Sequence, residues 1–147
     1  MSVIDRLAAM PQTVRDILRG RSADDLSRRG PDGLFSLREN VLHLRDIDLE
    51  GFEPRVARIL AEEHPFLPDV DGAKLAAERD YNAQPVTPAL EAFAESRARS
   101  IARLRALSDA DFERTGELEG VGRVTLRELL QRWLEHDAGH VKEMEAL

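Results

Sequence analysis

The chain has 147 residues, 42% of them hydrophobic and 33% charged, which are the proportions of an ordinary folded domain rather than of a disordered or membrane-embedded chain. It has no cysteine, which excludes disulfides, thiolate metal ligands and a sulfur nucleophile of its own, so any metal must rest on His, Asp or Glu. A formal charge of -7, with Lys74 and Lys142 the only lysines and no basic cluster, opposes binding to nucleic acid or to an anionic membrane surface.

No stretch approaches the run of about 20 apolar residues that a spanning helix needs. The start MSVIDRLAAM lacks the basic end and apolar core of a signal peptide, so a cytoplasmic location is expected. Repeats, low-complexity tracts and Gly/Ser linkers are absent, and the length suits one domain over residues 1–147.

In chain order, Ile4, Leu7, Val14, Ile17 and Leu18 recur at helical spacing over 3–18. Pro11 either kinks that helix or starts a second segment, and Gly20 ends it. A short helical turn over 22–29 precedes the loop Gly30-Pro31-Asp32-Gly33. Ser36 and Glu39 form a capping box that opens the second helix, with Phe35 before it as staple residue. Leu37, Val41, Leu44 and then Ile47 or Asp48 mark its inner face, Gly51 and Pro54 a kink, and Pro65 its end. The stretch 65–85 reads as a long crossover with a short helix at 73–81. Thr87-Pro88 reads as an N-cap with proline at the first helical position, and that helix runs to about Leu107 with Leu90, Phe93, Ile101 and Leu104 inward. Gly116, Gly120 and Gly122 suggest turns and a small hairpin. Thr125 and Glu128 form a second capping box for the last helix, striped by Leu126, Leu129, Leu130, Trp133, Val141 and Met144. Four long amphipathic helices with one long crossover predict an all-α bundle.

The histidines carry the chemistry. His136 and His140 stand four residues apart, about 6 Å along one helix face. They continue the Trp133 stripe, so both point inward, where an imidazole must be hydrogen-bonded, paired or coordinated. Two ligands seldom suffice for an ion, and the third comes from His43 or His64. His64 sits at a helix end beside Glu62 and Glu63, where solvation accounts for it; His43 lies mid-helix beside the inner face and is the choice. Asp137 follows His136 as a helix-surface acid or as the carboxylate that orients a ligating ring, and the run His136-Asp137-Ala138-Gly139-His140 is only a weak match to the zinc-protease pattern.

Phe35-Ser36 leading into Val41-Leu42-His43-Leu44-Arg45-Asp46, the connector Gly120 to Leu126, and the run His136 to His140 together resemble the DinB-like family of damage-inducible, metal-binding four-helix proteins. The likeness spans nearly the whole chain. It implies an up-down-down-up bundle, a nickel or zinc ion on His43, His136 and His140, and a homodimer. It also implies a range of activities, among them transferases and isomerases that use low-molecular-weight thiols such as bacillithiol or mycothiol. The segment Glu78-Arg79-Asp80-Tyr81-Asn82 looks like the mark of a subgroup.

Three functions are weighed from these residues together with what the resemblance implies. The first is a metal-dependent enzyme in which the ion activates an exogenous thiol against a small electrophile, with hydrolysis of a small molecule as the alternative. Arg45, Arg79 and Arg97 are the residues considered for the carboxylates of such a cofactor, though a solvated surface explains each; Glu39, Asp46 and Asp137 are considered as base or as orienting groups. The second is a non-catalytic metal-binding stress-response module acting through a dimer surface. The third is a metal-free helical protein with incidental histidines.

Overall fold

The computed structural model describes residues 1–147. Helix α1 (Val3–Leu18) is capped by Ser2, whose side chain accepts from the Asp5 amide while Asp5 returns a bond to the Ser2 amide. It is one continuous helix through Pro11. Proline lacks the N–H that would have bonded to the carbonyl four residues back. That freed carbonyl, of Leu7, accepts instead from Arg97 Nη1 at 2.9 Å.

Short α2 (Ala23–Ser27) leads to α3 (Leu37–Ile47), which has the full Ser36/Glu39 capping box. The residue facing Phe35 across that cap is Asn40, not an apolar side chain, so Phe35 is no staple; its ring instead lies 5.5 Å from that of His43. Glu39 is spent on the cap and on Arg29. At the expected kink the chain forms a π turn (Asp48–Phe52), where the Glu53 amide reaches back to the Asp48 carbonyl, and then continues as α4 (Glu53–Ala61) with Pro54 in its first turn.

The crossover contains β1 (Phe66–Leu67), which the sequence reading missed, and α5 (Gly72–Glu78). Next comes α6 (Val86–Arg105), which starts one residue before the expected Thr87 cap: Pro85 is the N-cap and Pro88 falls within the first turn. The hairpin of β2 (Thr115–Leu118) and β3 (Gly122–Thr125) forms as expected, and β1 adds to it in parallel, pairing Phe66 with Glu117. Gly116 permits the approach, since a Cβ there would lie 2.8 Å from Leu67 Cδ1. Thr125 caps α7 (Leu126–Glu145) through the Glu128 amide, but the reciprocal half of the box is replaced by a bond from the Thr125 hydroxyl to Glu128. Thr125 is at the same time the last residue of β3, paired with Thr115.

Helices α1, α3, α6 and α7 form a ring in which α1 and α3 each pack on both α6 and α7. Contacts of Asp5 with Arg105 and of Leu7 with Arg97 run α1 against α6, and those of Asn40 with His140 and of Asp48 with Trp133 run α3 against α7. The starts of α3 and α6 lie together, as Arg38 bonds to the Gln84 carbonyl. This is an up-down-down-up bundle, whose parallel α3/α6 pair requires the long crossover. No helix is long and apolar enough to cross a membrane.

The interior has two apolar regions. One, next to the sheet, holds Leu7, Phe52, Ile59, Leu104, Leu126 and Trp133; the other, at the far end, holds Val14, Leu37, Val41, Phe93 and Met144. Between them lies a charged layer. Arg97, 1% exposed, donates twice to Asp48 (3.1 and 2.8 Å), lies 2.7 Å from Asp137 Oδ2, and stacks on Phe93 and Trp133. Trp133 Nε1 donates to Asp48 at 3.0 Å, and burial raises the Asp48 pKa against the pull of Arg97. Removing one member leaves buried charge unpaired, so Arg97→Ala is expected to lower unfolding free energy by about 3–5 kcal/mol in urea denaturation followed by Trp133 fluorescence.

Candidate metal centre

Three rings meet at the level of the charged layer. The ligand atoms of His43 from α3 and of His136 and His140 from α7 all lie within 4.8 Å of one another. His43 Nε2 and His136 Nε2 are 3.1 Å apart, close to the separation of about 3.3 Å between two nitrogens on one tetrahedral ion with bonds of about 2.0 Å. His64 is elsewhere, bonded through Nδ1 to Thr115 Oγ1.

The outer nitrogens set the tautomers. His136 Nδ1 donates to Asp137 Oδ1 at 3.1 Å, and His140 Nδ1 donates to Asn40 Oδ1 at 2.9 Å. Asn40 is itself oriented by its own Nδ2 donating to the Ser36 carbonyl at 3.0 Å. Both rings therefore turn Nε2 toward the centre. Asp137, held from behind by Arg97, thus orients a ring. Asn40 was not anticipated, because an amide one turn into a helix carries no signal of what faces it.

Burial, and then the neighbouring rings, lowers the His43 pKa to about 3 and the His140 pKa to about 4. These imidazoles stay neutral at neutral pH, the form that coordinates. His43 Nδ1 is buried without a partner, packed under Gly72, where a Cβ would lie 2.5 Å from His43 Cε1. An orphaned polar atom costs about 1–3 kcal/mol. Coordination through Nε2 would offset that cost, and the donor set fits a divalent ion.

One side of the triad opens on a cleft of about 610 Å3, whose walls include Phe35, Ile47, Phe52, Val70 and Leu118. The other residues considered from the sequence do not line it. Asp46 is 3% exposed and accepts from Arg45, Arg79 and Tyr81. Arg79 also grips Glu50, and Asn82 ties to Ser36 and Ser27, so the segment Glu78 to Asn82 straps the crossover onto α3. Arg45 and Arg79 are paired with the protein's own carboxylates, as is Arg97 inside the bundle, while Glu39 at its cap is met by Arg29 and the Ser36 amide; these contacts hold all four away from the cleft. The arginines that do line the cleft are Arg55 and Arg132.

A helical bundle with an open three-histidine centre between two antiparallel helices defines the class. The chain belongs to the DinB superfamily, whose family model matches residues 6–144. No curated protein matches it. Among solved structures it is similar to YfiT from Bacillus subtilis, described as a probable metal-dependent hydrolase with an unusual four-helix bundle topology. The TM-score is 0.89 at 23% identity, over 98% of this chain and 84% of that one, which establishes the shared fold.

The depressed histidine pKa values have a thermodynamic sign. Below pH 6.5 the unfolded chain takes up protons that His43 and His140 refuse in the folded state until about pH 3 and 4. The metal-free protein should lose stability as pH falls from 6.5 to 4, by up to about 1.4 kcal/mol per pH unit for each ring. Urea midpoints measured across that window check this, with a shallower decline expected for His140→Gln.

Proposed function

We propose that the protein is a metal-dependent enzyme that holds a divalent ion, nickel or zinc, on His43, His136 and His140 and acts on a small molecule in the adjoining cleft. The observation that supports this most is the open side of the triad: no carboxylate joins the three rings, and the free approach is from a cleft of substrate size. A structural ion is closed by a fourth side chain, whereas a catalytic one keeps a position for a reactant. That contrast places the non-catalytic stress-response module behind the enzyme.

A bound ion would supply Lewis acidity, lowering the pKa of a coordinated water or thiol so that it is a nucleophile at neutral pH. The chain does the remaining work. Asp137 and Asn40 hold two ring orientations, burial keeps His43 and His140 unprotonated, and the apolar part of the cleft wall offers a surface for the body of a small molecule. The reaction we put first is transfer of a low-molecular-weight thiol to a small electrophile, which the family resemblance implies. A chain without cysteine must receive its sulfur from outside. Hydrolysis is the second reading, favoured by the description of the B. subtilis neighbour. A homodimer belongs to the proposal on the resemblance alone, and sedimentation at micromolar concentration tests it.

Elemental analysis of untagged protein should find one ion per chain, lost in His43→Ala, His136→Ala and His140→Ala and kept in His64→Ala. Replacing Asn40 by Ala should weaken the ion by about 10–100-fold in a competition titration, since the His140 ring loses its anchor. Candidate electrophiles and esters incubated with metal-loaded protein, with and without a small thiol, separate the two reactions. Thiol-dependent turnover that His136→Ala abolishes supports transfer; thiol-independent turnover that the same variant abolishes replaces it with hydrolysis.

A further inference from the structure

The bundle has two buried arginines, and they differ in one respect. Arg97 is met by two buried carboxylates. Arg55, 9% exposed, has no hydrogen-bonded carboxylate at all. Its Nη2 donates to the Pro68 carbonyl at 3.3 Å, and its Nε is buried without a partner. The nearest acid, Asp69, stands 3.9 Å away with its side chain 74% exposed, where water screens it. A guanidinium taken out of water without a counter-charge is costly. Burial accordingly lowers the Arg55 pKa, and Asp69 restores it only in part.

Arg55 also stands where a ligand would be. It lines the cleft that opens on the histidines, its guanidinium lies 5.2 Å from the centroid of Phe52, and the same Phe52 ring lies 5.7 Å, centroid to centroid, from His136. Phe52 is thus a neighbour of both the cation and the triad. Arg132, exposed one turn before His136 on α7, lines the same cleft. Of the acids there, Glu119 already accepts the Asp69 amide at 3.0 Å. The walls between are apolar, with Val70, Leu118 and Val121 beside Phe52.

We infer that the cleft takes a small organic carboxylate with an apolar body, its carboxylate on Arg55 and Arg132, its body along Phe52 and Leu118, and its reacting end at the histidines. The placement of the reacting end rests on the metal-dependent function proposed above; the anion site does not. An arginine fork matches a carboxylate with two parallel N–H···O bonds, and the buried cation gains the counter-charge it lacks.

The test is a matched pair of probes, 3-phenylpropionate and 3-phenylpropionamide, titrated calorimetrically into the protein with and without its metal. The acid should bind at least about tenfold more tightly than the amide, the ratio expected of a charge-assisted bond pair. Because a carboxylate can also bind an ion, the preference must persist in the metal-free protein. It should vanish in Arg55→Gln and shrink several-fold in Arg132→Gln, an exposed position whose change leaves the fold intact. Equal binding of acid and amide by the unaltered metal-free protein overturns the inference, whether or not Arg55→Gln folds. Mercaptosuccinate as a third probe assigns the carboxylate to a reactant: tighter binding than 3-phenylpropionate gives it to the thiol, weaker binding to the electrophile. A protein that takes up no metal yet keeps the Arg55-dependent preference would sink the enzyme reading and leave the anion site standing. Metal uptake without the preference would do the reverse.

Discussion

The guanidinium of Arg97 touches every helix of the ring. It belongs to α6, bonds to Asp48 at the end of α3 and to the Leu7 carbonyl of α1, and lies against Asp137 of α7. Such a cluster is a poor way to gain stability, since a well-packed apolar layer of similar volume is often as good or better. Its value here is positional. Asp137 faces Arg97 with one oxygen and His136 with the other, so the ion pair that locks the bundle also sets the ring that the site needs. Pro11 serves the same end from α1, because without an N–H of its own it leaves the Leu7 carbonyl free for Arg97.

The π turn has a comparable role on the opposite wall. His43, Ile47, Phe52 and Arg55 all line the cleft, at steps of four, five and three residues along one nearly continuous helix. The step of five does not belong to an α-helix, in which position 51 would have followed position 47. The extra residue of the π turn moves Phe52 into place and leaves Gly51 behind it. Insertions of this kind recur at functional sites, and here the geometry gives the reason.

What could be read from the sequence was what local rules govern. The Ser36 box, the Thr125 cap, the hairpin and the pairing of His136 with His140 each follow from spacings of three or four residues or from turn chemistry. His43 required a guess about which helices pack together, and the inner stripe of α3 was enough to make it. The buried pairing of Arg97 is not legible locally, because a charged residue at an inner position looks like a surface arginine until its two aspartates, 49 and 40 residues away in sequence, are brought beside it. Asp46 likewise pairs with Arg45 beside it and with Arg79 33 residues away, a meeting that no local spacing marks. The strand β1 is only two residues long, exists by pairing with a distant hairpin, and leaves no periodicity to detect. Arg55 and Arg132 were passed over because nothing local distinguishes them from the other arginines.

The crossover is pinned at both ends. Before α5, β1 is hydrogen-bonded to β2, through the Glu117 amide to Pro65 and the Glu119 amide to Leu67, and at Gly72 the chain rests on His43 with no space for a side chain. After α5, Arg79, Tyr81 and Asn82 are tied to α3. An inserted residue anywhere along this path would shift either the strap or the His43 ring, so the length of the crossover is under constraint. The hairpin tip is different: Gly120 is held to glycine by its φ of 78° and Glu119 by its bonds to the crossover, but Val121 borders the cleft with its side chain exposed. In evolutionary terms the bundle has a fixed jaw and an adjustable tooth, and lineages that share the histidines can diverge in what they admit by changing one side chain at the tip of a turn.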